Sequence, residues 1–312
     1  MSERPEMFEG TDTIWMDGEF VDWEDAQVHV LTHALHYGTG VFEGVRCYDT
    51  VDGPAIFRWD AHLDRFFQSG QVYDIEMPFD REEITEATLE LIRRQDLESC
   101  YIRPIAFYGY EKLGLSPKDI PVRVSIACWP WGAYLGEEAL QQGVEVKVSS
   151  WRKYASSQIP TNAKTTGPYV NSVLAGEEAR RHGFTEALVL NKEGNVAEGP
   201  GENLFLVRDG EIYTPGLSEG ILDGITRESV ITIAEDLGYT VHDGETISRG
   251  ELYTADELFF TGTAAEVTPI RGVDNVEIGA GTKGPVTDEV QTRFFETVEG
   301  RVDAYDEWFT YV

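Results

Sequence analysis

Lysine is the residue this chain has least use for. Seven lysines, at positions 112, 118, 147, 153, 164, 192 and 283, stand against 56 aspartates and glutamates in 312 residues, and arginine supplies the rest of the 25 basic side chains. The formal charge of -31 repels nucleic acid and anionic lipid alike, so the expected partners are small molecules and further copies of the chain, with no nucleic acid and no membrane. Acid spread throughout, with arginine in place of lysine, points to a salt-adapted acidic protein whose self-repulsion is damped by a short Debye length. The melting temperature is therefore expected to rise from low to multimolar KCl. A melting temperature that does not change across that range would overturn the expectation.

Cysteine is nearly as scarce. Cys47, Cys100 and Cys128 lie in apolar, strand-like runs with no CxxC spacing, which excludes a disulfide framework and a zinc knuckle and fits buried thiols in a reducing compartment. No run of about 18 apolar residues occurs, and the opening MSERPEMFEG has neither an apolar core nor a basic leader. A cytoplasmic location is expected. With no Walker loop, ATP chemistry lacks support, and nicotinamide and serine-hydrolase chemistry are not expected either. No internal repeat or low-complexity stretch interrupts the chain.

What is present is an ordinary globular pattern, 41% hydrophobic and 12% aromatic, in a chain long enough for one large or two medium cores. Residues 13–22 read as a hairpin about Asp17-Gly18, and a second hairpin joins 41–48 to 54–59. Helices are expected over 60–72, 80–95, 168–182 and 224–237, with strands over 101–108, 122–129, 186–190 and 204–208. The strands at 101–108 and 122–129 are apolar enough to be buried on both faces. Pro130 to Gly136, with two glycines and several aromatics, reads as a link between domains.

Lys164 draws attention because its neighbours, Thr161 to Pro168, are uncharged and small, whereas five of the other six lysines stand near Asp, Glu or Arg or in surface-like turns. A desolvated lysine amine is a good Schiff-base nucleophile, although a solvated lysine ahead of a helix is the commoner case. Thirty-four residues on, Glu198 sits between glycines ahead of another strand. Lysine and acid together suit a pyridoxal phosphate site, where lysine carries the cofactor and the acid keeps the ring nitrogen protonated. Gly224-Ile225-Thr226 is either a helix cap or a phosphate-binding helix start. The turn from Thr261 to Ala265 is either a tight bend or a nest of N–H donors. His29, His33 and His36 have metal-like spacing but no acid or cysteine nearby, so packing is favoured and no metal is expected.

Five further stretches sharpen this. His33-Ala34-Leu35-His36-Tyr37-Gly38-Thr39-Gly40-Val41-Phe42-Glu43-Gly44, Tyr101-Ile102-Arg103-Pro104, Glu198-Gly199 to Phe205, Gly224 to Arg227 and Gly262 to Glu266, taken with Lys164, resemble the branched-chain amino acid aminotransferases, pyridoxal phosphate enzymes of fold type IV. The resemblance implies an α+β fold with a small N-terminal α/β domain (1-130), an interdomain loop (131-139) and a larger, barrel-like α/β domain (140-312). It further implies a homodimer or higher homo-oligomer. By the same resemblance, Lys164 is the Schiff-base lysine and Glu198 the partner of the pyridine nitrogen. Arg65, Ile225, Thr226 and Thr263 form the phosphate cup, and the Tyr169 hydroxyl lies beside the ring. Tyr101 and the N–H groups of Thr263 and Ala264 take the substrate α-carboxylate. Phe42, Tyr37, Trp131, Tyr134 and Tyr169 line an aromatic pocket, and Arg103 takes the distal carboxylate of glutamate.

The implied reaction is ping-pong transfer of an amino group between leucine, isoleucine or valine and 2-oxoglutarate. D-amino acid aminotransferase and aminodeoxychorismate lyase share the lysine and glutamate and remain alternatives, with a non-enzymatic acidic binding protein a remote one. The chain departs from the bacterial pattern at Thr165-Thr166-Gly167-Pro168, where an Ala/Gly-rich run is usual, which bears on loop stiffness near the lysine.

Overall fold

The computed structural model describes residues 5–312. Residues 1–4, part of the opening stretch and of the expected 1-130 domain, lie outside the described residues. The chain divides into two compact units. The first comprises the residues up to Trp131 together with Ala163–Gly167 and Val298–Val312, and the second comprises Gly132–Asn162 and Pro168–Thr297. The expected bounds assigned 163–167 and 298–312 to the second domain. Long-range pairing carries both segments into the first unit: Thr165 bridges Val41, and Phe309–Tyr311 pairs antiparallel with Gly53–Phe57.

The first unit is built on an antiparallel sheet. Its strands run in the order Phe309–Tyr311, Gly53–Phe57, Val45–Thr50, Cys100–Tyr108, Val122–Trp129, Thr13–Met16, Glu19–Asp22. The hairpin at Asp17-Gly18 forms because both residues take positive φ, 53° and 94°, as a two-residue loop of this hand requires. Helix Arg81–Arg94 opens with a capping box, Glu83 N–H donating to the Asp80 carboxylate and Asp80 N–H to that of Glu83, worth about 1 kcal/mol. Its buried face, Ile84, Leu91 and Ile92, joins Trp59, Leu63 and Phe66 of helix Trp59–Val72 in one core. Strand Val122–Trp129 alternates between buried and half-exposed residues instead of being buried on both faces. Arg123 and Ser125 cannot be desolvated cheaply and take the outer face. The three cysteines are free thiols, all buried.

One irregularity positions functional groups. Strand Cys100–Tyr108 is paired along one edge first by Val45–Cys47 and then by Gly40–Phe42. Glu43 and Gly44 interrupt the two. Glu43 N–H still donates to the Pro104 carbonyl, 2.9 Å. A Cβ on Gly44 would fall 1.9 Å from the Tyr101 hydroxyl oxygen, so only glycine lets that ring lie against the backbone.

The second unit is a mixed sheet ordered Val196–Glu198, Glu186–Leu190, Val144–Arg152, Glu266–Val273, Glu257–Gly262, Asn203–Arg208, Glu211–Pro215, Val241–Glu245. Val144–Arg152 runs parallel to Glu186–Leu190, and helix Tyr169–Arg181 packs on both, as a parallel crossover requires. The first strand in this order comes round against Asn203–Arg208 and Glu211–Pro215, so the sheet curls in the barrel-like manner expected. Apolar side chains from Val146, Leu188, Leu204, Leu206, Leu258 and Phe260 fill one side. Phe205 and Phe259 stack with ring centres 4.9 Å apart.

Candidate active site

In the first unit, the segment carrying Lys164 is laced to the strand that carries Phe42. Lys164 N–H donates to Ser69 Oγ at 2.9 Å, and its carbonyl accepts from Phe42 N–H at 3.0 Å. Thr166 N–H donates to the Gly40 carbonyl, 2.9 Å, and Thr166 Oγ1 to the Gly38 carbonyl, 3.0 Å. Thr166 is thus held by both its N–H and its hydroxyl, and Thr165 by its bridge to Val41. Gly38, at φ 64°, lies so close to Gly167 that a Cβ on it would stand 2.6 Å from the Gly167 Cα.

Lys164 Nζ lies 5.2 Å from the centre of the Phe42 ring, and the Arg103 guanidinium lies 4.9 Å from the same ring. Arg103 Nη2 donates to the Tyr101 hydroxyl at 3.2 Å, while its Nε is buried with no hydrogen-bond partner among the described residues. Trp131 meets the Tyr101 ring edge to face at 4.5 Å. Lys164, Phe42, Tyr101, Arg103 and Trp131 are therefore neighbours. Tyr37 is not among them: its ring packs on His33 at 4.6 Å and it stands 42% exposed.

Arg65 lies on the buried face of helix Trp59–Val72. Its Nε and Nη2 donate to the two carboxylate oxygens of Glu43 at 2.7 and 2.8 Å, and His62 Nδ1 is 2.8 Å from the same carboxylate. Burial alone would raise the Glu43 carboxyl, but the charge and hydrogen bonds of Arg65 and His62 outweigh it and hold it well below the ordinary carboxylate range. Burial lowers His62, against the pull of Glu43, and the cations of Arg65 and Lys164 add to the lowering.

In the second unit, Glu198 ends the short strand Val196–Glu198 and is buried. Its Oε2 accepts from Asn203 Nδ2 at 3.2 Å and from Leu222 N–H at 3.0 Å, and its Oε1 meets Lys153 Nζ in a buried ion pair. Asn203 Oδ1 sits where a Cβ on Gly224 would stand, 1.9 Å away. Only glycine therefore fits at Gly224, the N-cap of helix Ile225–Asp236. Asn203 Nδ2 donates to both the Glu198 carboxylate and the Leu222 carbonyl, 3.2 and 3.0 Å, two residues before that N-cap. The glycine after Glu198 serves a local purpose, since a Cβ on Gly199 would lie 2.5 Å from Glu202 Oε2. Thr263 and Ala264 form the turn between strands Glu257–Gly262 and Glu266–Val273, and Thr261 Oγ1 just before it is buried without a hydrogen-bond partner. Tyr169 opens helix Tyr169–Arg181, and Tyr134 stands exposed ahead of helix Glu137–Gln142.

Sequence reasoning does not find Lys153, Glu43 or His62. Lys153 follows Arg152 as a surface lysine would, yet its side chain is 11% exposed and paired with a buried acid. A usable signal for Glu43 is the acid itself, enclosed in the apolar run Val41–Cys47 and therefore in need of a cation. His29, His33 and His36 are engaged in hydrogen bonds, with Leu31 N–H, with Thr39 and Gly114, and with Val30 respectively. Two strings also satisfy the letter patterns of nicotinamide and serine-hydrolase sites. Gly279 to Gly284 reads GxGxxG, but it follows the two-residue strand Val276–Glu277, which pairs antiparallel with Glu266–Val273, and not a parallel strand–helix–strand unit. Gly216 to Gly220 reads GxSxG, but Ser218 sits in the short 3-10 turn Leu217–Glu219 and not on a strand-to-helix elbow.

A model of the class IV amino-transferases matches residues 40–273. The chain belongs to that family. It is 53% identical over 299 residues to the branched-chain-amino-acid aminotransferase of Pseudomonas aeruginosa, covering 96% of this chain and 97% of that one. It is 48% identical over 298 residues to the enzyme of the same name from Escherichia coli K12, covering 95% and 96%. The crystal structure of the Escherichia coli enzyme superposes with a TM-score of 0.94 at 47% identity, over 96% of this chain and 98% of that one. The branched-chain amino acid aminotransferase of Thermobaculum terrenum, solved in its pyridoxal phosphate form, superposes at 0.90 with 36% identity over 96% and 98%. Among the described residues, no helix is long and apolar enough to cross a membrane.

Proposed function

We propose that the chain is a branched-chain amino acid aminotransferase that uses pyridoxal 5'-phosphate to move the amino group between leucine, isoleucine or valine and 2-oxoglutarate. The observation that carries the substrate reading is Arg103 lying over the Phe42 and Tyr101 rings, with one buried N–H lacking a partner among the described residues. Aromatic faces suit a branched hydrocarbon, and the same surface holds a guanidinium for the second carboxylate of glutamate. The residues suit the cofactor as well. The Glu198 carboxylate, held by two N–H donors on one oxygen and facing a cation with the other, is what a protonated ring nitrogen needs.

Bound pyridoxal phosphate supplies an aldehyde that condenses with amines and a ring that draws off the electron pair left at Cα. The rest is residue chemistry. Lys164 Nζ would carry the cofactor and then, as a free amine, take the proton from the substrate Cα and deliver it to the carbon that had been the cofactor's aldehyde, two atoms along, as general base and general acid in turn. Glu198 keeps the ring nitrogen protonated. Arg65, the first N–H groups of helix Ile225–Asp236 at Ile225 and Thr226, and Thr263 hold the phosphate. The Tyr169 hydroxyl would be offered to the cofactor ring from the start of helix Tyr169–Arg181. The Tyr101 hydroxyl and the N–H groups of Thr263 and Ala264 take the α-carboxylate, and Phe42 and Trp131 exclude water from the reacting carbon.

The test is a spectral half-reaction panel. L-leucine, L-isoleucine, L-valine and L-glutamate are each expected to convert the yellow cofactor form to the pyridoxamine form. Conversion by D-alanine or D-glutamate alone would move the chain to D-amino acid transfer, and no conversion by any branched-chain L-amino acid would defeat the substrate reading.

A further inference from the structure

The ammonium of Lys153 reaches the Glu198 carboxylate across 45 positions of chain, from just beyond strand Val144–Arg152 to the end of strand Val196–Glu198. Both side chains are close to fully enclosed, at 11% and 7% exposure. A buried ion pair is a poor way to stabilise a fold, because desolvating two charges offsets most of their attraction, and well-packed apolar residues do as well or better. Its retention in a chain with seven lysines calls for a chemical reason.

The surroundings supply one. Glu198 Oε2 is fixed by Asn203 and Leu222, so the carboxylate cannot rotate, and Lys153 faces the remaining oxygen. Lys153 Nζ also lies 4.9 Å from the centre of the Tyr154 ring. Tyr169, the residue assigned to the side of the cofactor ring, is within electrostatic reach of the same ammonium.

We infer that Lys153 is a positioning residue for the transamination: a permanent cation that aims the Glu198 carboxylate, shares it with the cofactor's ring nitrogen, and sets the proton affinity of the bound cofactor. This rests on the proposed role of Glu198. Burial works against the charge on Lys153, but the field of the Glu198 carboxylate and the hydrogen bond to it more than offset that. Its affinity for its proton is therefore raised, and it stays charged throughout the working range.

A fixed cation beside a titrating group lowers that group's pKa, so removing the cation raises it. The experiment is a pH titration of the absorbance of the pyridoxal phosphate-loaded protein. In Lys153→Met the midpoint is expected to rise by about one pH unit, with kcat falling and KM little changed, whereas Lys153→Arg keeps the wild-type midpoint. If Lys153→Met does not fold, Lys153→Gln, which keeps a donor to Oε1 without the charge, is expected to give the same rise.

A midpoint unmoved in the neutral variant, or moved equally in Lys153→Arg, overturns the inference. Glu198→Gln in the same titration separates the two failures. If Glu198→Gln moves the midpoint and the neutral Lys153 variant does not, the role of Lys153 alone fails. If Glu198→Gln leaves both midpoint and turnover at wild-type values, the reading of Glu198 fails with it.

Discussion

Lys164→Ala protein is expected to lose turnover by about 10⁴-fold or more, because one amine is asked to carry the cofactor and then to move the proton at the substrate Cα. The fold should survive. The hydrogen bonds that fix residue 164, from its N–H to Ser69 Oγ and from Phe42 N–H to its carbonyl, belong to the backbone and outlast the side chain. Among the contacts that truncation removes is that of a half-buried ammonium with the Phe42 face, and a stability loss of about 1 kcal/mol is expected. A small primary amine in the buffer should restore part of the proton transfer, since the base is then supplied from solution. Near-normal turnover without such an amine, in protein shown to lack contaminating wild type, would refute the assignment.

The lysine can be picked out in sequence because its own neighbours give it away, and features of that local kind are legible in general. The Asp17-Gly18 loop needs positive φ at two successive positions and has it. Helix Arg81–Arg94 carries its own cap in Asp80 and Glu83. Helix Tyr169–Arg181 ends ahead of Gly183, at φ 84°, as a helix stopped by glycine should.

Features that depend on distant partners are not legible. No periodicity shows that Thr165 pairs with Val41 or that Phe309–Tyr311 completes a sheet begun more than 250 positions earlier, so unit bounds drawn from sequence come out too simple. Lys153 shows the same limit at the site. Its neighbours Arg152 and Tyr154 resemble those of a surface lysine, and its burial follows only from an acid on another strand. Arg65 is found through the resemblance, but the reason its guanidinium plane is fixed, the fork with Glu43, arises from an interruption between two strands that the hydrophobic pattern reads as one.

Glu198→Gln is expected to keep the cofactor bound through its phosphate contacts while lowering kcat by about 10²- to 10³-fold, because a neutral amide cannot hold a proton on the ring nitrogen. The variant has a second consequence that must be separated from the first. It leaves the Lys153 ammonium buried beside a neutral group, and stranding one member of a buried pair costs about 3–5 kcal/mol. A loss of activity in the single variant therefore mixes chemistry with stability.

The double variant Glu198→Gln/Lys153→Met separates them. With both charges gone, neither member of the pair is left as a buried charge without its counter-ion, and most of the lost stability is expected to return. Turnover is not, because the ring nitrogen still has no anion. A melting temperature restored to near wild type with kcat still depressed about a hundredfold assigns the loss to the missing carboxylate. Recovery of kcat together with stability would show that Glu198 acts only as the counter-ion of Lys153 and holds no proton on the cofactor.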